Sequence, residues 1–150
     1  MSSPDGISSP ERISSPALSA LCVGDSVPPL TIEITPRLIV AGAIASRDYQ
    51  DVHHDKDAAL ALGSPDIFMN ILTSNGLVGR YVTDWAGPGA RLKKVSIVLG
   101  APNFPGDVMT LSAEVSAVDV DSGEVELQVL GANALGAHVS GSVQLVLPTR

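Results

Sequence analysis

Aromatic residues are scarce: two Phe, two Tyr and one Trp make up 3% of the 150 residues. Any core must therefore be aliphatic, and an apolar content of 45% allows one built from Val, Leu, Ile and Ala. Cysteine is reduced to Cys22, which excludes an internal disulfide and fits a reducing cytoplasm. Cations are outnumbered, nine against sixteen carboxylates, for a formal charge of −7. That balance argues against a general nucleic-acid binder, which needs clustered cations for phosphate contact. It leaves room for a phosphorylated ligand at a local basic patch. No apolar run is long enough to cross a bilayer. The N-terminus lacks a basic region followed by an apolar one, so no secretory leader is expected. The length allows one domain with a sizeable core and not two.

The first 22 residues read as a disordered tail. Ser2-Ser3-Pro4, Ser8-Ser9-Pro10 and Ser14-Ser15-Pro16 repeat every six residues and offer little to bury against the cost of ordering. One domain is expected over 23–150. Leu30 to Ile34 alternates apolar and polar, a short strand. Thr35-Pro36 then opens a helix as N-cap and first helical residue, and the helix continues to Ala45. Gly42 inside it costs about 1 kcal/mol against alanine, so something must pack closely there. Lys56 to Leu62 makes two helical turns closed by Gly63. Ser64-Pro65 repeats the cap logic and predicts a helix to Asp84, about 30 Å long, with Ile67, Ile71, Val78 and Val82 on one stripe. Gly76 and Gly79 on it would admit a sheet or a ligand. Strands are expected over Ala90–Gly100, Val108–Val118, Glu124–Ala132 and His138–Leu147, with turns at Pro105-Gly106-Asp107 and Asp121-Ser122-Gly123. The sum is an α+β layer: one long helix wrapped by an antiparallel sheet.

The stretch without an apolar run is Arg47-Asp48-Tyr49-Gln50-Asp51-Val52-His53-His54-Asp55. On a helix, Asp48 and His53 would lie about 140° apart, but on a turn they can converge. A carboxylate and an imidazole facing one cavity can hold a water and move its protons. That suits hydration of an activated double bond: one group takes a proton from water, the other delivers one to the α-carbon. The enolate that develops needs a donor. The start of the long helix, with the backbone N–H groups of Ile67 and Phe68, is the expected place. Adjacent His53 and His54 point apart in an extended chain and no third ligand follows at regular spacing, so no metal site is expected. His138 reads as structural.

Three blocks carry a family resemblance: Arg47 to Asp55, Asp66-Ile67-Phe68-Met69-Asn70-Ile71-Leu72-Thr73, and Arg80-Tyr81-Val82-Thr83-Asp84-Trp85-Ala86-Gly87-Pro88. They resemble the MaoC-like hot-dog hydratases, and among these the small subunits of actinobacterial steroid side-chain enoyl-CoA hydratases. The resemblance implies a hot-dog fold from about residue 25 onward, with Asp48, His53 and Asp55 at the positions of the hydratase motif. Gln50-Asp51 stands where the common motif has Asn-Pro, and Asp66-Ile67 where many relatives have His-Gly. It further implies a steroid-like enoyl-CoA substrate, with CoA as part of the substrate and no separate cofactor. Assembly would be with a larger hot-dog subunit in a heterotetramer, followed by an aldolase. Arg80, Arg91, Lys93 and Lys94 are candidates for the CoA phosphates, with a solvated face as the rival reading. A hot-dog thioesterase and a non-catalytic partner subunit are the alternatives in function.

Overall fold

The computed structural model describes residues 15–149. Five strands form one antiparallel sheet: β1 (Ser26–Glu33), β2 (Arg91–Leu99), β3 (Val108–Val118), β4 (Glu124–Asn133) and β5 (Gly136–Val146), in spatial order β1-β3-β4-β5-β2. Alternation decides which face is dry. Met109, Leu111 and Val115 of β3, Val125 and Leu127 of β4, and Val139, Val143 and Leu145 of β5 are buried. Across that face lies α3 (Ile71–Ala86), which buries Ser74, Val78, Tyr81, Val82 and Ala86. Full burial of Val78 and Val82 contributes about 1.5–3 kcal/mol each. The Tyr81 hydroxyl donates to the Val27 carbonyl at 3.3 Å and ties the helix to β1. The fold is the α+β, helix-on-sheet arrangement that the pattern predicts.

Two short helices precede α3. In α1 (Pro36–Ala45), Thr35 caps the Leu38 N–H through its hydroxyl, as the Thr-Pro pair predicts. In α2 (Lys56–Ala61), Asp55 caps the Ala58 N–H, and Gly63 past its end has φ +86°. The neighbour that Gly42 makes room for is Thr73: a Cβ at 42 would collide with the Thr73 side chain, so α1 crosses the first turn of α3 there. Gly79 faces Leu92 of β2, whereas Gly76 meets nothing close among the described residues.

Two expectations are corrected. The long helix does not begin at Ser64-Pro65. The Ser64 hydroxyl donates to the Asp66 carbonyl instead of capping, and the chain runs irregularly to Asn70, the actual N-cap, whose side-chain oxygen accepts from Thr73 N–H at 3.0 Å. Ile67 and Met69, two apart, are both buried, and Phe68 between them turns to the opposite side. Their apolar character fits an extended segment as well as a helix, and the counted stripe could not tell the two apart. The tail is also shorter than 22 residues. Leu18, in a 3-10 turn, is only 8% exposed and joins the core, and Ser15 sits against Gly87 at the end of α3. The first two Ser-Ser-Pro repeats, and Ser14 of the third, lie outside the described residues.

Candidate active site

Asp48 is placed by the end of α1. Its N–H donates to the Ala43 carbonyl at 2.9 Å, and Arg47 before it takes a left-handed turn, φ 56°. A 3-10 turn over Asp51–His53 then brings His53 back to it. The Nε2 of His53 lies 3.4 Å from Asp48 Oδ2. The loop thus does what a helix could not, and the two residues meet.

The protonation of the pair follows from its other contacts. His53 Nδ1 is 2.7 Å from the Phe68 carbonyl, which can only accept. Nδ1 therefore carries a proton, and Nε2 is the ring nitrogen turned toward Asp48. Phe68 also packs edge-on against the imidazole, with ring centroids 5.0 Å apart. Asp48 Oδ1 accepts from Gln50 N–H at 3.3 Å, and Oδ2 accepts from Asn70 Nδ2 at 2.9 Å. The Asn70 amide is the largest cause holding the Asp48 carboxyl below its usual pKa. Partial burial opposes it, and the Gln50 N–H and the nearby histidines assist. Asp48 is thus an acceptor at neutral pH. Nε2 and Oδ2 face one another at 3.4 Å, and when the ring is neutral both are acceptors. A water that donates one hydrogen to each satisfies both and presents its own lone pairs to the space in front.

That space is a cleft of about 320 Å³. Asp48, Gln50, His53 and the segment Phe68 to Ile71 form one wall, and Leu99 to Pro102 with His138 form the other. Among the described residues nothing accepts from the backbone N–H of Asn70 or Ile71, the cap and first residue of α3. Both residues line the cleft. The N–H groups expected as enolate donors, those of Ile67 and Phe68, are engaged elsewhere. Ile67 N–H donates to Asp66 Oδ1 at 2.8 Å and Phe68 N–H to the Val52 carbonyl at 3.2 Å. The correction follows from the displaced helix start.

Asp55 does not reach the cleft, because its carboxylate caps α2. His54 turns away and bonds the Tyr49 carbonyl at 3.2 Å. The candidate cations are not gathered with Asp48 and His53 either. Arg80 pairs with Asp84 on α3, Lys93 reaches Glu124 at 3.9 Å, and Arg91 and Lys94 lie on β2; none of the four lines the cleft. Asn70, which bonds Asp48 and lines the cleft, is the candidate site residue that pattern reading missed. A buried asparagine inside an apolar stretch, four residues before the small Ser74, was the available signal.

No protein-family model matches the chain. It is 51% identical over 123 residues to the 3-oxo-4,17-pregnadiene-20-carboxyl-CoA hydratase beta subunit of Mycobacterium tuberculosis, covering 82% of this chain and 94% of that protein. It superimposes on a chain of the crystal structure of the ChsH1-ChsH2 complex from the same organism with a TM-score of 0.81 and 50% identity, over 85% of this chain and 98% of that one. The (R)-hydratase from A. caviae involved in PHA biosynthesis shares the fold at a TM-score of 0.76 and 24% identity, over 86% of this chain and 98% of that one.

Proposed function

The chain belongs to the MaoC-like hot-dog hydratases, and on that premise we propose that it is the catalytic subunit of an enoyl-CoA hydratase acting on a steroid side-chain thioester. The observation that carries this reading is the convergence of an imidazole and a carboxylate, His53 Nε2 and Asp48 Oδ2, at 3.4 Å beside an open cleft. The thioester lies along the cleft with its carbonyl oxygen at the first turn of α3. Water held by the pair gives one proton to it as its oxygen bonds to the β-carbon. The π electrons move to the carbonyl oxygen, and the N–H groups of Asn70 and Ile71 stabilise the enolate. The enolate then collapses as the pair returns one proton to the α-carbon, so both side chains end as they began. No cofactor is required, because CoA arrives as part of the substrate.

The substrate class rests on the name of the mycobacterial relative, a hydratase of a pregnadiene carboxyl-CoA. The cleft agrees with a bulky aliphatic group: Ile71 and Leu99 line it and are 49% and 36% exposed. Assembly with a larger hot-dog subunit into a heterotetramer is proposed from the two-component mycobacterial complex. β2 is an open edge with Val98 71% exposed, a surface such a subunit would cover. In that assembly the partner holds most of the CoA, which accounts for Arg80, Arg91, Lys93 and Lys94 lying off the cleft. A CoA-dependent reaction with a free thiol on Cys22 suits the cytoplasm. The β-hydroxy thioester formed is what a retro-aldol step needs: an aldolase would break its Cα–Cβ bond as the alcohol becomes a carbonyl.

The test is hydration of a steroidal enoyl-CoA by the co-expressed subunits, followed as loss of conjugated absorbance. Asp48→Asn and His53→Ala should each lower kcat by about 10²–10⁴, the range for a lost acid–base group. Near-normal turnover in both variants would sink the assignment.

A further inference from the structure

His138 is the buried titratable residue that this mechanism leaves unused. It is 2% exposed at the start of β5 and lines the cleft wall opposite Asp48. Both ring nitrogens are engaged. Nδ1 lies 2.7 Å from the Ala101 carbonyl and Nε2 lies 2.7 Å from Ser74 Oγ. A carbonyl only accepts, so Nδ1 carries the proton and Nε2 accepts from the Ser74 hydroxyl. Burial favours the same neutral ring by lowering the imidazole pKa.

The choice made by that one hydroxyl proton matters. Ser74 Oγ is also 3.3 Å from the Asn70 carbonyl, at the cap of α3. With His138 present the proton goes to Nε2, and the Asn70 carbonyl keeps only the Ser74 N–H at 3.2 Å. Without an acceptor at Nε2, the hydroxyl turns to the Asn70 carbonyl, a back-bond that bends the helix turn. Asn70 carries one of the free N–H groups at the cleft and the amide that holds Asp48. The contacts therefore run without a gap from Ala101 on one wall through His138, Ser74 and Asn70 to Asp48 on the other. Ser74 and Asn70 are 1% and 2% exposed, so bulk water cannot substitute for a lost partner.

We propose that His138 is a positioning residue for the hydration: through Ser74 it sets the first turn of α3, and with it both the enolate donors and the Asp48 carboxylate. The inference rests on the hydratase reading for its kinetic consequence only. Its effect on Asp48 stands apart from any turnover.

The variants separate the two ring nitrogens. His138→Asn retains a donor near Nδ1 and removes the acceptor at Nε2. His138→Gln places an acceptor at Nε2 and removes the other. In the assembled protein, His138→Asn and Ser74→Ala should each lower kcat about tenfold at unchanged KM. That is less than the 10²–10³ of deleting a donor outright. The double variant should be no slower than either single one, and His138→Gln should recover most of the rate. The Asp48 carboxyl titration, read by carbon-13 NMR, should move up in His138→Asn and Ser74→Ala and stay in place in His138→Gln. A folded His138→Asn protein with wild-type kcat and an unmoved Asp48 titration overturns the proposal. So do losses that multiply in the double variant, or a Gln variant as slow as the Asn one, which would make His138 a packing residue alone. If the wild-type assembly does not hydrate the substrate, the functional reading fails, and the Asp48 titration still decides the role of His138.

Discussion

Asn70 does three things at once, and replacing it in two ways separates them. Its Oδ1 caps α3, its Nδ2 holds Asp48 and Ser46, and its backbone N–H is left without an acceptor among the described residues. In Asn70→Ala the cap is lost, which costs about 1 kcal/mol. For a domain of this size that lowers Tm by about 2–4 °C. The donor to Asp48 Oδ2 is lost as well, so the Asp48 pKa rises toward the ordinary carboxylate value. In Asn70→Ser a hydroxyl can still cap Thr73 N–H, but it is too short to reach Asp48. The Ser variant keeps the cap and should melt above the Ala variant, since serine and asparagine are near-equal caps. Yet it should share the catalytic defect of the Ala variant: kcat down at least about tenfold, in line with the sensitivity of catalysis to misplacement by 1 Å. The acid limb of the rate profile, where Asp48 takes up its proton, should lie at higher pH in both variants than in wild type. The assay is enoyl absorbance against pH with the assembled subunits, beside thermal unfolding of the same samples. A Ser variant with wild-type kcat and an unmoved acid limb would refute the claim that this amide sets Asp48.

Gly42→Ala should destabilise the protein although alanine is the better helix former by about 1 kcal/mol, because its Cβ meets Thr73. In a Thr73→Ala background the cost should shrink, because the Thr73 Oγ1 and Cγ2 are gone and only its Cβ, at 3.1 Å, stays close; urea unfolding of the four proteins checks this. His138 titrates below its ordinary value because it is buried. The unfolded chain, protonating near pH 6.5, then binds more protons than the native one just below that pH. Stability present above about pH 6.5 should fall as the pH drops through it, and His138→Gln should flatten that part of the curve; urea midpoints between about pH 7.5 and 5.5 are the measurement.

What the sequence made legible was whatever depends on local period and turn chemistry. The strand boundaries at Val108–Val118 and Glu124 follow from alternation and from the Gly106 and Gly123 turns, both at positive φ. Thr35 capped as its type predicts. The helix start at Asn70 was hidden because Ser64-Pro65 is an equally good local start signal. What overrides it is tertiary: Phe68 must present its carbonyl to His53 and its N–H to Val52, and Met69 its N–H to Asn103, which requires extended backbone through 67–69. The same cause moves the candidate enolate donors by three residues, from Ile67 and Phe68 to Asn70 and Ile71. Leu18 was assigned to the tail because Ser-Pro composition outweighed one leucine, and only the core it enters reveals its role. The pairing of Asp48 with His53 was visible as chemistry. The orientation of the His53 ring was not, since it hangs on a carbonyl fifteen residues away.

The fold alone does not choose between hydration and thioester hydrolysis; in the proposed reading the pair favours hydration. Hydrolysis of an acyl-CoA needs one base to activate water at the carbonyl carbon, and the leaving thiolate needs no carbon protonation. A second acceptor on the same water would then compete for its protons without taking part. Addition to a double bond has a different demand: a proton must leave the water and one must reach the α-carbon, next to the carbon under attack. Two side chains converging on one water, each with its own route for a proton, meet that demand. In this chain both are fixed by partners in the fold, His53 by the Phe68 carbonyl and Asp48 by the buried Asn70 amide, so their separation is set by these contacts. A saturated acyl-CoA should therefore be a poor substrate even though it fits the cleft. If free CoA were released from it at a rate comparable to hydration of the enoyl thioester, the second acceptor would have no function and the geometric argument would fail.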